Sequence, residues 1–263
     1  MTQDDTYRRV QAQFARTADA YVESASHAKG AELTQMVALA ESRLGNLQGR
    51  KALDVATGGG HTALAFARAG AQVTATDLTP EMVEAAQTFL RANGGEAVQF
   101  ALAAAEALPF DVEAFDLVSC RIAAHHFADP EAFVREAARV LCPGGLLLLV
   151  DNVSPEDPEL ATLMNDIERR RDPSHVWAYS VRQWVVWLAD AGLDAKHLSR
   201  WWTHKPYWAW LERAQTPRNT GEALARDVLA LTPRQKAYFG VQAGEGGLES
   251  LAHEAVLLVG QKG

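Results

Sequence analysis

"LDVATGGGHTALAFARAGAQVTATD", residues 53–77, sets three consecutive glycines between two short apolar runs and closes on an acid. A strand that ends in glycines and turns into a helix brings bare main chain close to a ligand, because no Cβ intervenes. The helix start then offers N–H groups that no turn of the helix satisfies. Asp77 ends the second strand, seventeen residues beyond Gly60. A carboxylate at that place accepts two hydrogen bonds from a ribose diol. Gly58, Gly60 and Ala63 satisfy the dinucleotide pattern G-x-G-x-x-G/A, but a glycine-rich strand end is also a plain tight turn. A phosphate-cradling P-loop is excluded, since no G-K-[ST] follows the glycines.

Outward from this stretch, residues 51–151 alternate strand-like bursts with helix-like segments. "KALDVA" precedes "HTALAFARAG", "QVTATD" precedes "PEMVEAAQTFLRANG", "FDLVSC" precedes "DPEAFVREAARVL", and "GLLLLVD" follows. That order predicts a mostly parallel sheet with helices on both faces. Pro80 and Pro130 stand at first helical positions, each followed by an acid that suits the positive end of the helix dipole. Beyond Asp151 the texture changes. Helices are expected around Leu160 to Arg171, over "SVRQWVVWLADAGL", and in two stretches between about Trp208 and Ala230. A last strand, "EAVLLVG", is expected to return to the sheet edge. All seven tryptophans lie after residue 176, in a region whose aromatics read as core or lid.

Composition narrows the function. Hydrophobic residues at 48% and charged ones at 22% suit an ordinary globular chain with a normal core. A formal charge of −8, with no basic tract longer than Arg169-Arg170-Arg171, argues against a nucleic-acid surface. The polar, acidic N-terminus lacks an apolar signal core, and the longest apolar run, near Leu146 to Val150, is too short to span a bilayer. The expectation is a cytoplasmic protein without membrane partners. Cys120 and Cys142 are isolated and read as small hydrophobes. No H-x-x-x-H or similar spacing supports a metal.

Two features pull the glycine turn away from a nicotinamide dinucleotide. Asp54 lies inside the first strand, where an acid suits a cationic ligand group, although bracing nearby loop amides is an equal use for it. The loop "AAEALPFDVEAFDLVSC" has no counterpart in the dinucleotide pattern.

The run "LDVATGGGHTAL … VTATDLTPEMVEAA … AEALPFDVEAFDLVSCRIAAHHFADP … LCPGGLLLLVD" resembles class I S-adenosylmethionine-dependent methyltransferases. It is most similar to the small-molecule branch that includes ubiquinone- and menaquinone-biosynthesis enzymes, and the match covers roughly residues 30–155. The later "RRRDPSHVWAYSVRQW" resembles a segment of uncharacterised relatives. The resemblance implies a Rossmann-like, seven-stranded, mostly parallel sheet with a helical, aromatic-rich C-terminal lid. It divides the chain into a helical cover (1–45), a cofactor-binding core (46–155) and a substrate-side insertion with closing strands (156–263).

It implies S-adenosylmethionine as cofactor and a small organic methyl acceptor. Asp54, Ala56, Gly58 and Gly60 would surround the methionine moiety, with His61 and Thr62 at its border. Asp77 would hold the ribose, Leu78 would lie against the adenine, and Met82 would pack nearby. Ala105 and Glu106 would meet the adenine edge, and Arg121 would line the methyl-donor end through its backbone. The sequence departs from the family twice: Ala56 replaces a glycine, and Ala104 replaces an acid expected at the adenine amino group, a contact left to Glu106 or main chain.

Methyl transfer from a sulfonium needs positioning and dryness, and a base only where the acceptor must lose a proton. His125 and His126, beyond the fourth strand, are the candidates for that base, because ligands bind outside the carboxyl ends of such strands. His175 and Tyr179 are weaker candidates for the acceptor pocket. The competing functions are an NAD(P)-dependent oxidoreductase and a cofactor-binding protein without transfer activity.

Overall fold

Five apolar runs form the parallel part of one sheet in the computed structural model, which describes residues 2–22 and 30–263. They are β1 (Lys51–Val55), β2 (Gln72–Asp77), β3 (Gln99–Leu102), β4 (Phe115–Arg121) and β5 (Leu141–Asn152). Two antiparallel strands extend it, β6 (Leu193–Pro206) and β8 (Gly247–Lys262), giving the order β3-β2-β1-β4-β5-β8-β6. That path is the expected seven-stranded, mostly parallel sheet. A three-residue β7 (Gln242–Gly244) pairs with β8 as an eighth strand.

One expectation needs correcting. The last strand does not return to the sheet edge: β8 lies inside, between β5 and β6. The edge belongs to β6, which covers the Trp201-Trp202 stretch. With a neighbour on both sides, the apolar residues 255–259 are buried.

Helices cover both faces, and the strands alternate between them. Leu146, Leu148 and Val150 of β5 pack with Met36 and Ala40 of α2 (Ala31–Leu44) and Leu64 and Phe66 of α3 (His61–Arg68). Leu147 and Leu149 face the other way, onto Phe133 and Val134 of α5 (Pro130–Val140) and Trp184 and Leu188 of α7 (Val181–Asp190). Helix α4 (Pro80–Ala92) joins the first face through Leu90. Among the starts capped by side chains, Asp129 accepts from Ala132 N and Ser180 from Gln183 N, each cap contributing about 1 kcal/mol.

Helices α6 (Pro158–Arg171), α8 (Tyr207–Arg213) and α9 (Arg218–Leu229), with the short α10 (Pro233–Tyr238), sit beyond the carboxyl end of the sheet. Tyr207, Trp210, Leu211, Leu224 and Leu251 form a second core there. Trp210 is buried there at 2% exposure and Trp184 is buried under the sheet at 1%, whereas Trp202 on the edge strand is 43% exposed.

Helix α1 (Gln3–Val22) lies across α4 and is tied to the C-terminal helices, where Gln13 Nε2 donates to Ala214 O at 2.8 Å. The expected N-terminal cover extends over residues 23–29, which fall outside the described chain. Among the described residues, no helix is long and apolar enough to cross a membrane.

Candidate active site

Strand β1 has β2 on one side and β4 on the other, so the chain leaves in opposite directions from neighbouring strands and a crevice opens at their carboxyl ends. The glycine stretch fills its floor. Ala56, Gly58 and Gly60 all take left-handed backbone, with φ of 53°, 55° and 83°. Gly60 ends the turn as the residue before α3, and a Cβ there would press on Leu90 at 3.1 Å. A Cβ on Gly58 would meet only Met82, at 3.5 Å, so the bare side of that residue faces the crevice.

Two carboxylates flank the loop, and they are used differently. Asp54 is spent inward: Oδ2 accepts from Thr57 Oγ1 and Oδ1 from Ser119 Oγ, both at 2.7 Å. These bonds brace the loop and β4 through hydroxyls, and the residue also lines the crevice. Burial raises its pKa, against the pull of those two hydroxyls. Asp77 accepts one main-chain bond on each oxygen, from Gly58 N and Thr79 N, both at 3.0 Å. The backbone of Leu78 also favours its charged form, and with about four acceptor sites an ionised carboxylate still has capacity to spare. Burial pushes Asp77 up to about 6 despite those backbone donors. It is an acid short of hydrogen-bond donors, and a sugar diol supplies two.

The resulting cavity encloses about 910 Å³ of space between atoms, its open mouth included. Asp54, Ala56, Gly58, His61, Thr62, Asp77, Leu78, Met82, Ala105, Glu106, Arg121 and His126 all line it. Gly60 and His125 do not. Gly60 instead sets the turn. His125 is held away by Asp151, whose Oδ1 lies 2.6 Å from its Nδ1 and whose Oδ2 accepts from its main-chain N.

The N-terminal helix expected to cover the site completes the enclosure, through side chains not singled out from sequence. Tyr7, Val10 and Phe14 of α1 form its outer wall. Their i, i+3, i+7 spacing puts them on one helix face and was the available signal. Tyr7 Oη donates to Glu106 Oε2 at 2.9 Å, and Gln11 Nε2 to Leu78 O at 3.0 Å, so α1 is clasped to the loops after β2 and β3. No tryptophan lines the cavity.

These contacts bear on Glu106 and on Arg121, whose backbone was the part expected to line the site. Glu106 also accepts from Ala128 N and Asp129 N on its other oxygen, at 2.8 and 3.2 Å. Three of its roughly four acceptor sites are therefore taken by the protein, and one on Oε2 is left beside the main chain of residues 104–105. The Arg121 side chain is also committed, with Nε on Thr62 Oγ1 and Nη1 on Glu32 Oε1, both at 2.9 Å. What Arg121 offers a ligand is therefore its backbone, and the next residue, Ile122, holds a left-handed φ of 57°. A β-branched residue there is strained, and such strain concentrates at binding sites.

The two histidines beyond β4 are driven apart. Burial opposes charge on His125, but Asp151 beside it overcomes that and raises its pKa. Burial lowers His126 to about 4, reinforced by the neighbouring charge of His125. His126 reaches the cavity, its ring edge-on to Phe14 at 5.0 Å. Opposed environments on adjacent titratable groups are a sign of an acid–base site. His175 faces inward instead, its Nε2 2.8 Å from Asn165 Oδ1, and burial lowers it to about 2. Tyr179 packs on Trp187.

Fold, glycine turn and acid together define the class: the chain belongs to the class I, S-adenosylmethionine-dependent methyltransferase family. Residues 53–149 match the family model described as a methyltransferase domain. The chain is 35% identical over 250 residues to the uncharacterized methyltransferase YcgJ of Bacillus subtilis, covering 95% of this chain and 97% of that protein. Ubiquinone biosynthesis O-methyltransferase of Leptothrix cholodnii is 33% identical over 163 residues, covering 60% of this chain and 69% of that one. Among solved structures, Bacillus halodurans protein BH2331 superposes with a TM-score of 0.84 at 34% identity, over 89% of this chain and 99% of that one. The crystal structure of YcgJ superposes at 0.83 with 36% identity, over 88% and 97%.

Proposed function

We propose that this protein transfers a methyl group from S-adenosylmethionine to an O, N, S or C atom of a small organic acceptor. The observation that carries the reading is Asp77, a buried carboxylate with acceptor capacity left over, beside the bare face of Gly58. Asp77 would hold the ribose hydroxyls, Leu78 and Met82 would bound the adenine, and the loop at residues 56–59 would pass along the amino-acid tail. When bound, the cofactor supplies an already activated methyl group. The chain's own work is to fix the acceptor in line and exclude water. Helix α1 supports the second task, since Tyr7, Val10 and Phe14 wall the cavity. The −8 charge favours a small acceptor over a nucleic acid.

Thermal unfolding with S-adenosylhomocysteine and, separately, with NAD tests the cofactor. A ligand at about 100 times its Kd stabilises by about 2.7 kcal/mol, which is about 5–10 °C in a chain of this size. A shift of that order with the homocysteine alone supports the proposal. A shift with NAD alone reverses it in favour of an oxidoreductase. Transfer of a labelled methyl group then separates an enzyme from a cofactor-binding protein without activity.

A further inference from the structure

His126 is the cavity histidine whose proton can be located by counting. Its Nδ1 lies 3.2 Å from Ser174 Oγ, and Ser174 Oγ lies 2.5 Å from Asp172 Oδ1. Asp172 also accepts from Ser174 N at 2.9 Å and from Arg171 Nη2 at 3.2 Å, so three donors converge on an ionised carboxylate. Its pKa is held down: burial opposes the charge, but His126, Arg171 and Ser174 outweigh it. A serine has one proton to give, and a carboxylate can only accept, so that proton goes to Asp172. Ser174 Oγ must then accept from His126, which places the imidazole proton on Nδ1. The other ring nitrogen, Nε2, makes no hydrogen bond among the described residues and belongs to the ring that lines the cavity. Asp172 and Ser174 are buried, at 0% and 1% exposure, so water does not compete for these bonds.

We propose that Ser174 and Asp172 are positioning residues that fix His126 as its Nδ1–H tautomer, leaving Nε2 to take the proton of a hydroxyl acceptor as that oxygen is methylated. This rests on the methyltransferase reading above and narrows its acceptor to a phenol-, enol- or alcohol-type hydroxyl. The acceptor oxygen bonds to the methyl carbon, the carbon–sulfur bond breaks with its electron pair left on sulfur, and the O–H proton passes to Nε2. An amine that has already lost its ammonium proton attacks through a free lone pair and sheds its remaining proton after transfer, so it needs no base at the moment of attack. A hydroxyl does, because the oxygen turns strongly acidic as the new bond forms. A base that stays unprotonated at neutral pH still outcompetes such an oxygen, and His126 is held in that state by burial.

The test uses the full chain with S-adenosylhomocysteine, ¹⁵N-labelled at histidine, and with ¹³C-methyl donor added to the small-molecule fraction of a cell extract. The expected spectrum shows a protonated Nδ1 and a bare Nε2 on His126, and the expected label sits in an O-methyl group. Ser174→Ala is expected to mix the tautomers and slow the transfer about ten- to hundredfold, with homocysteine affinity unchanged. Asp172→Asn, read by the same tautomer signal, is a second variant should the first fold poorly. A proton on Nε2 in the wild type, or label found in N- or S-methyl products, overturns the proposal alone. No homocysteine binding, or binding with no label transferred, overturns the methyltransferase reading and this proposal with it.

Discussion

Acidification should loosen the cofactor through Asp77, and the size of the effect follows from its surroundings. Two main-chain N–H groups hold this carboxylate, but burial outweighs them and leaves its pKa at about 6 in the free protein. Ribose hydroxyls donate to the ionised form, so binding must remove any proton that Asp77 carries. The sign is fixed: affinity is complete above pH 6 and declines as pH falls through it. At pH 5 about ten protonated molecules stand for each ionised one, so the apparent Kd is about tenfold weaker than at pH 7.5, or about 1.4 kcal/mol. Isothermal titration of S-adenosylhomocysteine across that range measures it, since the ligand's carboxylate, ammonium and adenine titrate outside the window. Asp77→Asn supplies the control. Its amide turns a donor toward Gly58 N or Thr79 N and loses the charge, which costs about 2–4 kcal/mol of binding at neutral pH. It also removes the Asp77 slope, so any slope left in the variant belongs to other groups, His125 among them. An equal slope in wild type and variant, or a variant that binds within threefold of the wild type, would refute the reasoning.

Three further outcomes are expected. Ala56→Gly relieves a left-handed alanine and should stabilise the protein by about 0.5–1 kcal/mol, raising Tm by about 1–4 °C; a lower Tm in calorimetry would show that the Ala56 methyl packs usefully. Tyr7→Phe removes the hydroxyl bond to Glu106 and should speed hydrogen exchange along α1 while weakening homocysteine binding about two- to tenfold; unchanged exchange and affinity would mean that α1 is held by its apolar face alone. Glu32→Ala removes one anionic partner of the Arg121 guanidinium, whose side chain is 5% exposed, and should cost about 3 kcal/mol in denaturant unfolding; a loss under 1 kcal/mol would show that its remaining partners, the Asp54 charge among them, suffice to hold it.

Much of the fold was legible because its signals are local. Four of the five parallel strands are runs of four to seven residues with punctuation on both sides, and β1, β2 and β4 fall where "KALDVA", "QVTATD" and "FDLVSC" stand. Strand β6 was not legible. It lies at an edge with polar and aromatic residues on both faces, so neither alternation nor a continuous apolar run marks it. The C-terminal tryptophans announced burial and could not say against what. Trp184 packs under the sheet and Trp210 in the core of the C-terminal helices, while the cavity wall comes from α1.

By itself the sequence determined the parallel α/β sheet, the glycine turn and the acid at the second strand's end, because each depends on residues close in the chain whose spacing is set by backbone geometry. Tertiary structure alone decided the rest. It aimed Asp54 inward and left Asp77 with acceptor sites to spare. It split two adjacent histidines, giving His125 to Asp151 and His126 to Ser174, 48 positions further along the chain. Side-chain roles of that kind turn on desolvation and on partners brought together by folding, and no local pattern encodes either.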